Sequence, residues 1–183
     1  MAKARFRAVG RGPFGWHRVG RGVDLAVALG LLLLMAIAGA VLQYRLGPSR
    51  ELVGHASAID GDSLRLAGEE LRLEGLDAPE YRQRCRARDG REVACGRDAH
   101  RALAAMLAAG PVTCAISRPD RYGRGLAICR QGETEINAAL VLQGQAVAYG
   151  GYRAEEERAK AAGHGLWALD FERPADWRRS HPR

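Results

Sequence analysis

The chain has 183 residues, which is room for one domain of about 130 to 140 residues and a targeting segment. Its formal charge is +7, but six of the 28 basic residues precede the first acidic residue, Asp24, and the other 22 face 20 acidic residues. The excess charge therefore belongs to the N-terminal tail, and on its own it does not define a nucleic-acid-binding protein.

A charge-free run, Leu25–Leu42, follows this tail. Its length is just sufficient for a helix to cross a bilayer core of about 30 Å. The basic residues before it place the N-terminus in the cytoplasm, so we expect a single-pass inner-membrane protein with its main domain in the periplasm. In this interpretation residues 1–24 are a basic cytoplasmic tail and 25–44 the transmembrane helix. The alternative is a cleaved signal peptide with a secreted domain, because Ala38-Gly39-Ala40 resembles a cleavage site.

The cysteine pattern agrees with export from the cytoplasm. Cys85 and Cys95 flank an arginine-rich loop, and Cys114 and Cys129 lie in two runs that resemble the strands of one hairpin. Two local disulfides are therefore expected in an oxidising compartment, although free thiols would serve equally well as small buried apolar residues. There is no Cys-x-x-Cys spacing, which argues against a zinc site.

After a linker at residues 45–51, alternating apolar residues predict five short strands, and longer periodic runs predict three helices. The strands are Leu52–Ile59, Ser63–Leu66, Leu71–Leu76, Val112–Ile116 and Leu126–Cys129, and the helices are Arg97–Ala109, Ile136–Leu142 and Tyr152–Ala162. This pattern predicts an α+β domain over residues 52–170, a small closed barrel with helical decoration. Residues 171–183 read as a polar tail.

Two acidic clusters frame the most informative stretch of the chain. Ile59–Ser63 is a tight turn around Asp-Gly, and the third strand ends in Asp77, with Glu80 three residues later. Folding the hairpin back would bring Asp62 and Asp77 together with Arg72 and Glu80 alongside. Hard oxygen ligands next to an arginine suit a divalent cation that faces a phosphate.

The order of three segments resembles the staphylococcal nuclease (thermonuclease) family. They are Asp60-Gly61-Asp62-Ser63, then Arg72 leading to Asp77-Ala78-Pro79-Glu80, and finally Asp120-Arg121-Tyr122-Gly123-Arg124-Gly125. The likeness covers about residues 52–170. It implies a five-stranded OB-fold β-barrel with three helices, and calcium-dependent hydrolysis of phosphodiester bonds in DNA and RNA.

The resemblance also implies a metal site. Asp62 and Asp77 stand where the family has calcium-ligating carboxylates, and Ala78 stands where a backbone carbonyl is the third ligand. The family usually has threonine at that position, and alanine keeps the carbonyl. Glu80 matches the glutamate that positions the attacking water and can deprotonate it.

The substrate contacts follow from the same resemblance. Arg72 and Arg124 match two arginines that grip the scissile phosphate. Arg121, Tyr122 and Tyr149 match positions around the nucleotide pocket. The arginine-rich loop between Tyr81 and Cys95 departs most from the family pattern, which leaves the substrate preference open.

Two functions from different classes are compatible with these residues. The first is an exported nuclease acting on DNA, RNA or both, membrane-tethered, monomeric and without a protein partner. The second is a nuclease-like module that has lost catalysis and binds nucleic acid or protein. The carboxylates and both arginines favour the nuclease, because a module without activity has no chemical reason to keep them all.

Overall fold

The computed structural model describes residues 21–45 and 50–182. It divides into two compact units, Met1–Gly47 and Pro48–Arg183. In the first unit, Arg21–Arg45 forms helix α1, which contains the charge-free run. Within the described residues, no helix is both long enough and apolar enough to cross a membrane. The transmembrane helix therefore stays a prediction.

The described residues of the second unit form twelve short strands and four α-helices. The strands are β1 (Arg50–Gly54), β2 (Ala56–Ala58), β3 (Ser63–Leu66), β4 (Glu69–Leu73), β5 (Leu76–Asp77), β6 (Cys85–Ala87), β7 (Glu92–Val93), β8 (Val112–Pro119), β9 (Gly125–Gln131), β10 (Thr134–Glu135), β11 (Val147–Ala148) and β12 (Leu169–Asp170). The helices are α2 (Cys95–Ala108), α3 (Ile136–Leu142), α4 (Arg153–Ala162) and α5 (Pro174–Ser180), with a 3-10 turn at Gly165–Ala168.

The main sheet has seven strands in the order β1-β8-β9-β4-β3-β2, and β10 pairs with β9. Its two outer strands, β1 and β2, are halves of one chain segment interrupted at His55. Since one half pairs with β8 and the other with β3, the sheet curls round on itself. Neighbouring strands are antiparallel except β4 and β9, which are parallel.

The core fills the inside of this curled sheet. Leu64, Leu66, Leu71 and Leu73 alternate along β3 and β4 with more exposed residues, and all four are at most 1 % exposed. The apolar faces of α2 and α3 close the cluster. Burying one such leucine stabilises the fold by about 2 to 3 kcal/mol, so the alternation fixes which face of each strand points inward.

A second apolar cluster lies under the Cys85–Cys95 loop and packs against the segment that ends at Phe171. Both expected disulfides are present, Cys85–Cys95 and Cys114–Cys129. The second bond joins directly opposed residues of β8 and β9, which matches the expected hairpin.

The structure confirms an α+β fold with a curled sheet and corrects the expected numbers of strands and helices. All five expected strand segments are found, but the first is divided between β1 and β2 and the third between β4 and β5. Five short strands were not expected, namely β6, β7, β10, β11 and β12. The three helices expected in the domain occur, and α1 is helical where the N-terminal helix was expected. The described residues include one further α-helix, α5. It lies where the sequence suggested only a polar tail.

Candidate active site

Asp62 is fixed by the turn that joins β2 to β3. The amide of Ile59 donates to the carbonyl of Ser63 at 2.8 Å, which closes the turn. The Asp60 side chain accepts a hydrogen bond from the amide of Asp62 at 3.1 Å. The acidic turn predicted from the sequence is therefore formed, and the side chain of Asp60 holds the backbone of Asp62 in place.

Two glycines let neighbouring elements approach this turn. A Cβ on Gly61 would lie 2.7 Å from the Cβ of Ala78 and 2.9 Å from that of Ala99 on α2. A Cβ on Gly96 would lie only 1.8 Å from the carbonyl oxygen of Glu80. Helix α2 therefore packs directly on the two acidic segments, and any larger residue would push them apart.

Asp62 and Asp77 converge on one guanidinium. Both carboxylates are buried, with 4 % and 2 % of the residue exposed. Arg72 lies opposite Ser63 in the β3–β4 register. Its Nη2 is 2.8 Å from an oxygen of Asp62 and 2.8 Å from an oxygen of Asp77. The two carboxylates, fifteen residues apart in the sequence, thus share one positively charged point.

The surroundings of Asp62 remain short of positive charge. Burial raises the pKa of its carboxyl to about 7, against the lowering effect of Arg72 and of a hydrogen bond from the amide of Ala78. A hard cation would supply this missing charge, and carboxylate oxygens are the ligands that calcium prefers. In the described residues, no group of three or more acidic, histidine or cysteine side chains is arranged around one metal position. The side chains that this site offers to a cation are the two carboxylates of Asp62 and Asp77.

Arg124 reaches the same cluster from the loop between β8 and β9. Asp120 accepts from its Nε at 2.9 Å and also from the amides of Tyr122 and Arg124. The Nη1 of Arg124 donates to the Ser63 hydroxyl at 3.3 Å, and that hydroxyl donates to Asp62 at 3.1 Å. Of the two expected phosphate-binding arginines, Arg72 therefore contacts Asp62 directly and Arg124 is linked to it through Ser63.

Glu80 joins the cluster through a residue that the sequence did not suggest. Arg178 on α5 donates to both oxygens of Asp77, at 3.1 and 2.9 Å, and to Glu80 at 3.1 Å. It lies 101 residues after Asp77. No spacing rule could have identified it, whereas Asp120 is a turn residue four positions before Arg124 and has a recognisable sequence signal.

Of the two expected aromatic residues, Tyr122 lies beside Arg124. Tyr122 is 68 % exposed, and the guanidinium carbons of Arg121 and Arg124 lie 4.7 and 5.6 Å from its ring centre. A cleft of about 580 Å³ opens beside it, and its charged lining consists of three arginines, among them Arg118 and Arg124, and two glutamates. Tyr149 is equally exposed and directly follows β11, the strand that pairs with the strand carrying Asp77. Its side chain makes no hydrogen bond with the cluster in the described residues.

Comparison with known proteins identifies the family of this chain. The family model described as staphylococcal nuclease homologue matches residues 70–169. The succinoglycan biosynthesis protein ExoI of Rhizobium meliloti (strain 1021) is 35 % identical over 138 residues, 72 % of each chain. An uncharacterized endonuclease of Haemophilus influenzae is 33 % identical over 132 residues, 66 % of this chain and 68 % of that protein. The chain therefore belongs to the staphylococcal nuclease homologue family.

Proposed function

We propose that this protein is a calcium-dependent nuclease that hydrolyses phosphodiester bonds in DNA, RNA or both. The observation that carries the proposal is the convergence of two buried carboxylates, Asp62 and Asp77, with two arginines, Arg72 and Arg124. Acids and guanidiniums held together in this way serve a reaction that gathers negative charge on a phosphate. A relative named as an endonuclease supports the same activity.

The chemistry assigns one task to each side chain. Glu80 accepts a proton from a water molecule whose oxygen attacks phosphorus in line with the leaving oxygen. The P–O bond to the leaving alkoxide breaks, and the alkoxide takes a proton from solvent. Arg72 and Arg124 donate forked hydrogen bonds to the non-bridging oxygens, and these bonds strengthen as charge accumulates in the transition state.

Asp62, Asp77 and the backbone carbonyl of Ala78 are the groups that would hold calcium. When bound, the ion supplies Lewis-acid charge to a phosphate oxygen and to the attacking water. The buried carboxylates and the raised pKa of Asp62 support this assignment, because the pocket needs more positive charge than Arg72 provides.

We propose that the protein binds its substrate without distinguishing one nucleobase from another. The cleft beside Tyr122 has a volume typical of small-ligand sites, and its lining includes Arg118 and Arg124, which suit phosphates. The exposed ring of Tyr122, and that of Tyr149, can stack on a base of any identity. Such a surface binds single-stranded nucleic acid without regard to sequence.

We further propose that the nuclease unit acts as a monomer outside the cytoplasm and is tethered by the N-terminal helix. Two disulfides in the second unit support an oxidising compartment. The charge-free run Leu25–Leu42 and the basic residues before it support an anchor with a cytoplasmic N-terminus.

Paired substitutions test the assigned roles. We expect Glu80→Gln to lower the rate of single-stranded DNA cleavage by about 10²- to 10⁴-fold, and Arg124→Ala by about 10²- to 10³-fold. The matched controls are Glu133→Gln and Arg130→Ala, which change exposed side chains and should cleave at the wild-type rate. Circular dichroism establishes that each variant is folded.

If the wild-type chain binds single-stranded DNA or RNA but cleaves neither in calcium, the enzyme assignment is wrong. The alternative of a binding module without catalysis would then be correct. Equal cleavage by Glu80→Gln and its control would remove Glu80 from the reaction while leaving the rest of the site in place.

A further inference from the structure

Helix α5 brings a third arginine to the site. The guanidinium of Arg178 forms a fork on Asp77, with Nη1 3.1 Å from one oxygen and Nη2 2.9 Å from the other. The same Nη1 lies 3.1 Å from an oxygen of Glu80. One planar group therefore spans two carboxylates to which the proposed reaction gives different tasks. The helix lies beyond residues 70–169, which the family model covers.

The N-terminal end of α5 is anchored to the rest of the second unit. Pro174 is buried at its first turn, and Arg173 donates to Glu156 at 3.0 Å. The fully buried Gln83 donates to the carbonyl of Glu172 at 2.7 Å and accepts from the amide of Glu80 at 3.2 Å. Residues 172–178 therefore contact Glu80 twice, through its backbone by way of Gln83 and through its side chain directly.

We propose that Arg178 is a positioning residue, which holds the Glu80 carboxylate at a fixed distance from Asp77 so that the base meets the attacking water. The inference rests on the proposed nuclease function. Two neighbouring carboxylates repel each other, and the guanidinium of Arg178 offsets that repulsion with charge-assisted hydrogen bonds to both of them. A planar fork also fixes direction, which the rotating ammonium of lysine does not.

The contact between Arg178 and Asp77 should weaken calcium binding even as it supports catalysis. Arg178 neutralises Asp77, which we assign as a calcium ligand, so its charge opposes a cation at that position. Removing it should strengthen calcium binding and weaken catalysis at once. If Arg178 only stabilised the fold, its removal would lower both kcat and calcium affinity. If Arg178 were an inhibitory plug that blocks the site, its removal would raise both. The directions of the two changes therefore separate the three roles.

The chain contains a matched control one residue away. Arg179 lies on the same helix, is 77 % exposed at its side chain and pairs with Asp176 of its own turn. Arg179→Gln therefore removes the same charge from α5 without a contact to the site. Arg178→Lys provides the conservative variant, because it keeps the charge and loses the fork.

The experiment compares the full-length wild type with Arg178→Gln, Arg178→Lys and Arg179→Gln. For Arg178→Gln we expect kcat on single-stranded DNA to fall by about 10- to 100-fold, the range for residues that orient a primary ligand. KM should change less than about 3-fold, because Arg178 does not bind the substrate. The calcium Kd from isothermal titration calorimetry should fall, lysine should restore part of kcat, and Arg179→Gln should match the wild type.

Three results would overturn the inference. A higher kcat for Arg178→Gln would identify a plug, and values equal to those of Arg179→Gln would show that Arg178 has no role. A parallel loss of kcat and calcium affinity with a lower Tm would identify structural support alone. A wild type that cleaves no nucleic acid would overturn the proposed function itself, whereas an active wild type matched by Arg178→Gln overturns only this inference.

Discussion

At the scale of single residues, the site is a balance between buried acids and arginines. Asp62 and Asp77 are almost fully buried, and Arg72 contacts both. Burying a carboxylate costs several kcal/mol unless a partner compensates it. Asp77 is also bound by Arg178, whereas Asp62 shares the guanidinium of Arg72 and is compensated only in part. The raised pKa of Asp62 is the direct consequence.

This imbalance predicts a stability that depends on pH in the absence of calcium. The pKa of Asp62 is about 7 in the folded chain against 3.8 as its ordinary value. The folded state therefore binds more protons between these values, and the free energy of unfolding falls as pH rises from about 4 to about 7. Asp62→Asn removes this loss, so in chelator at pH 8 it should be more stable than the wild type by roughly 1 to 4 kcal/mol.

Urea denaturation at pH 4, 6 and 8 checks this prediction. The difference in the free energy of unfolding between Asp62→Asn and the wild type should shrink towards zero at pH 4, where the wild-type carboxyl is protonated. Asp98→Asn, a substitution on the outer part of α2, should show no such trend. Calcium should stabilise the wild type at pH 8 and leave Asp62→Asn unchanged. A variant that is less stable than the wild type at pH 8 in chelator would contradict the charge balance described above.

The residues that the sequence could place together are those close along the chain. Asp62, Arg72 and Asp77 belong to one hairpin and the strand that follows it, so strand alternation and turn chemistry predict their meeting. Arg124 was found only through the family resemblance. Arg178 had neither signal, because a surface arginine on a short polar helix looks the same whether or not it folds onto a carboxylate.

At the scale of elements, helix α2 determines where the Glu80 segment lies. Gly96 in its first turn leaves room for the carbonyl of Glu80, which would be 1.8 Å from a Cβ at that position. Gly96→Ala should therefore displace the helix or the segment. We expect a loss of stability of about 1 to 3 kcal/mol, and cleavage lowered about 10-fold or more because the base moves.

Thermal unfolding and cleavage of single-stranded DNA measure the two effects of Gly96→Ala. Arg97→Ala is the control, since it changes an exposed residue in the same turn of α2. Full activity in Gly96→Ala would mean that the position of the helix does not govern Glu80.

The elements that sequence patterns predicted are those with an apolar face. The alternating leucines of β3 and β4 and the periodic apolar residues of α2 bury a continuous core, and their bounds were close to those observed. Helix α5 has the sequence PADWRRS, and only Pro174 is buried. Its position depends on polar contacts to distant residues such as Asp77 and Glu156, which leave no periodic pattern in the sequence.

At the scale of the whole molecule, the charge is divided unevenly between tail and nuclease unit. Residues up to Asp24 carry six basic residues and one acid, whereas the rest is nearly balanced. We expect the full chain to remain in the membrane fraction after alkaline washing, and a chain that starts at Pro48 to be released with its activity intact. N-terminal sequencing of the mature protein separates the anchor from the signal peptide. A mature chain beginning just after Ala40 would contradict the anchor.

The most direct test of a metal-assisted phosphodiesterase site is cleavage of single-stranded DNA by the purified wild-type chain across a calcium titration. We expect short fragments to appear with calcium, to disappear when a chelator is added, and to return when calcium is restored in excess. Asp77→Asn should fail to respond at any calcium concentration. Cleavage that continues unchanged in chelator would contradict the role given to Asp62 and Asp77.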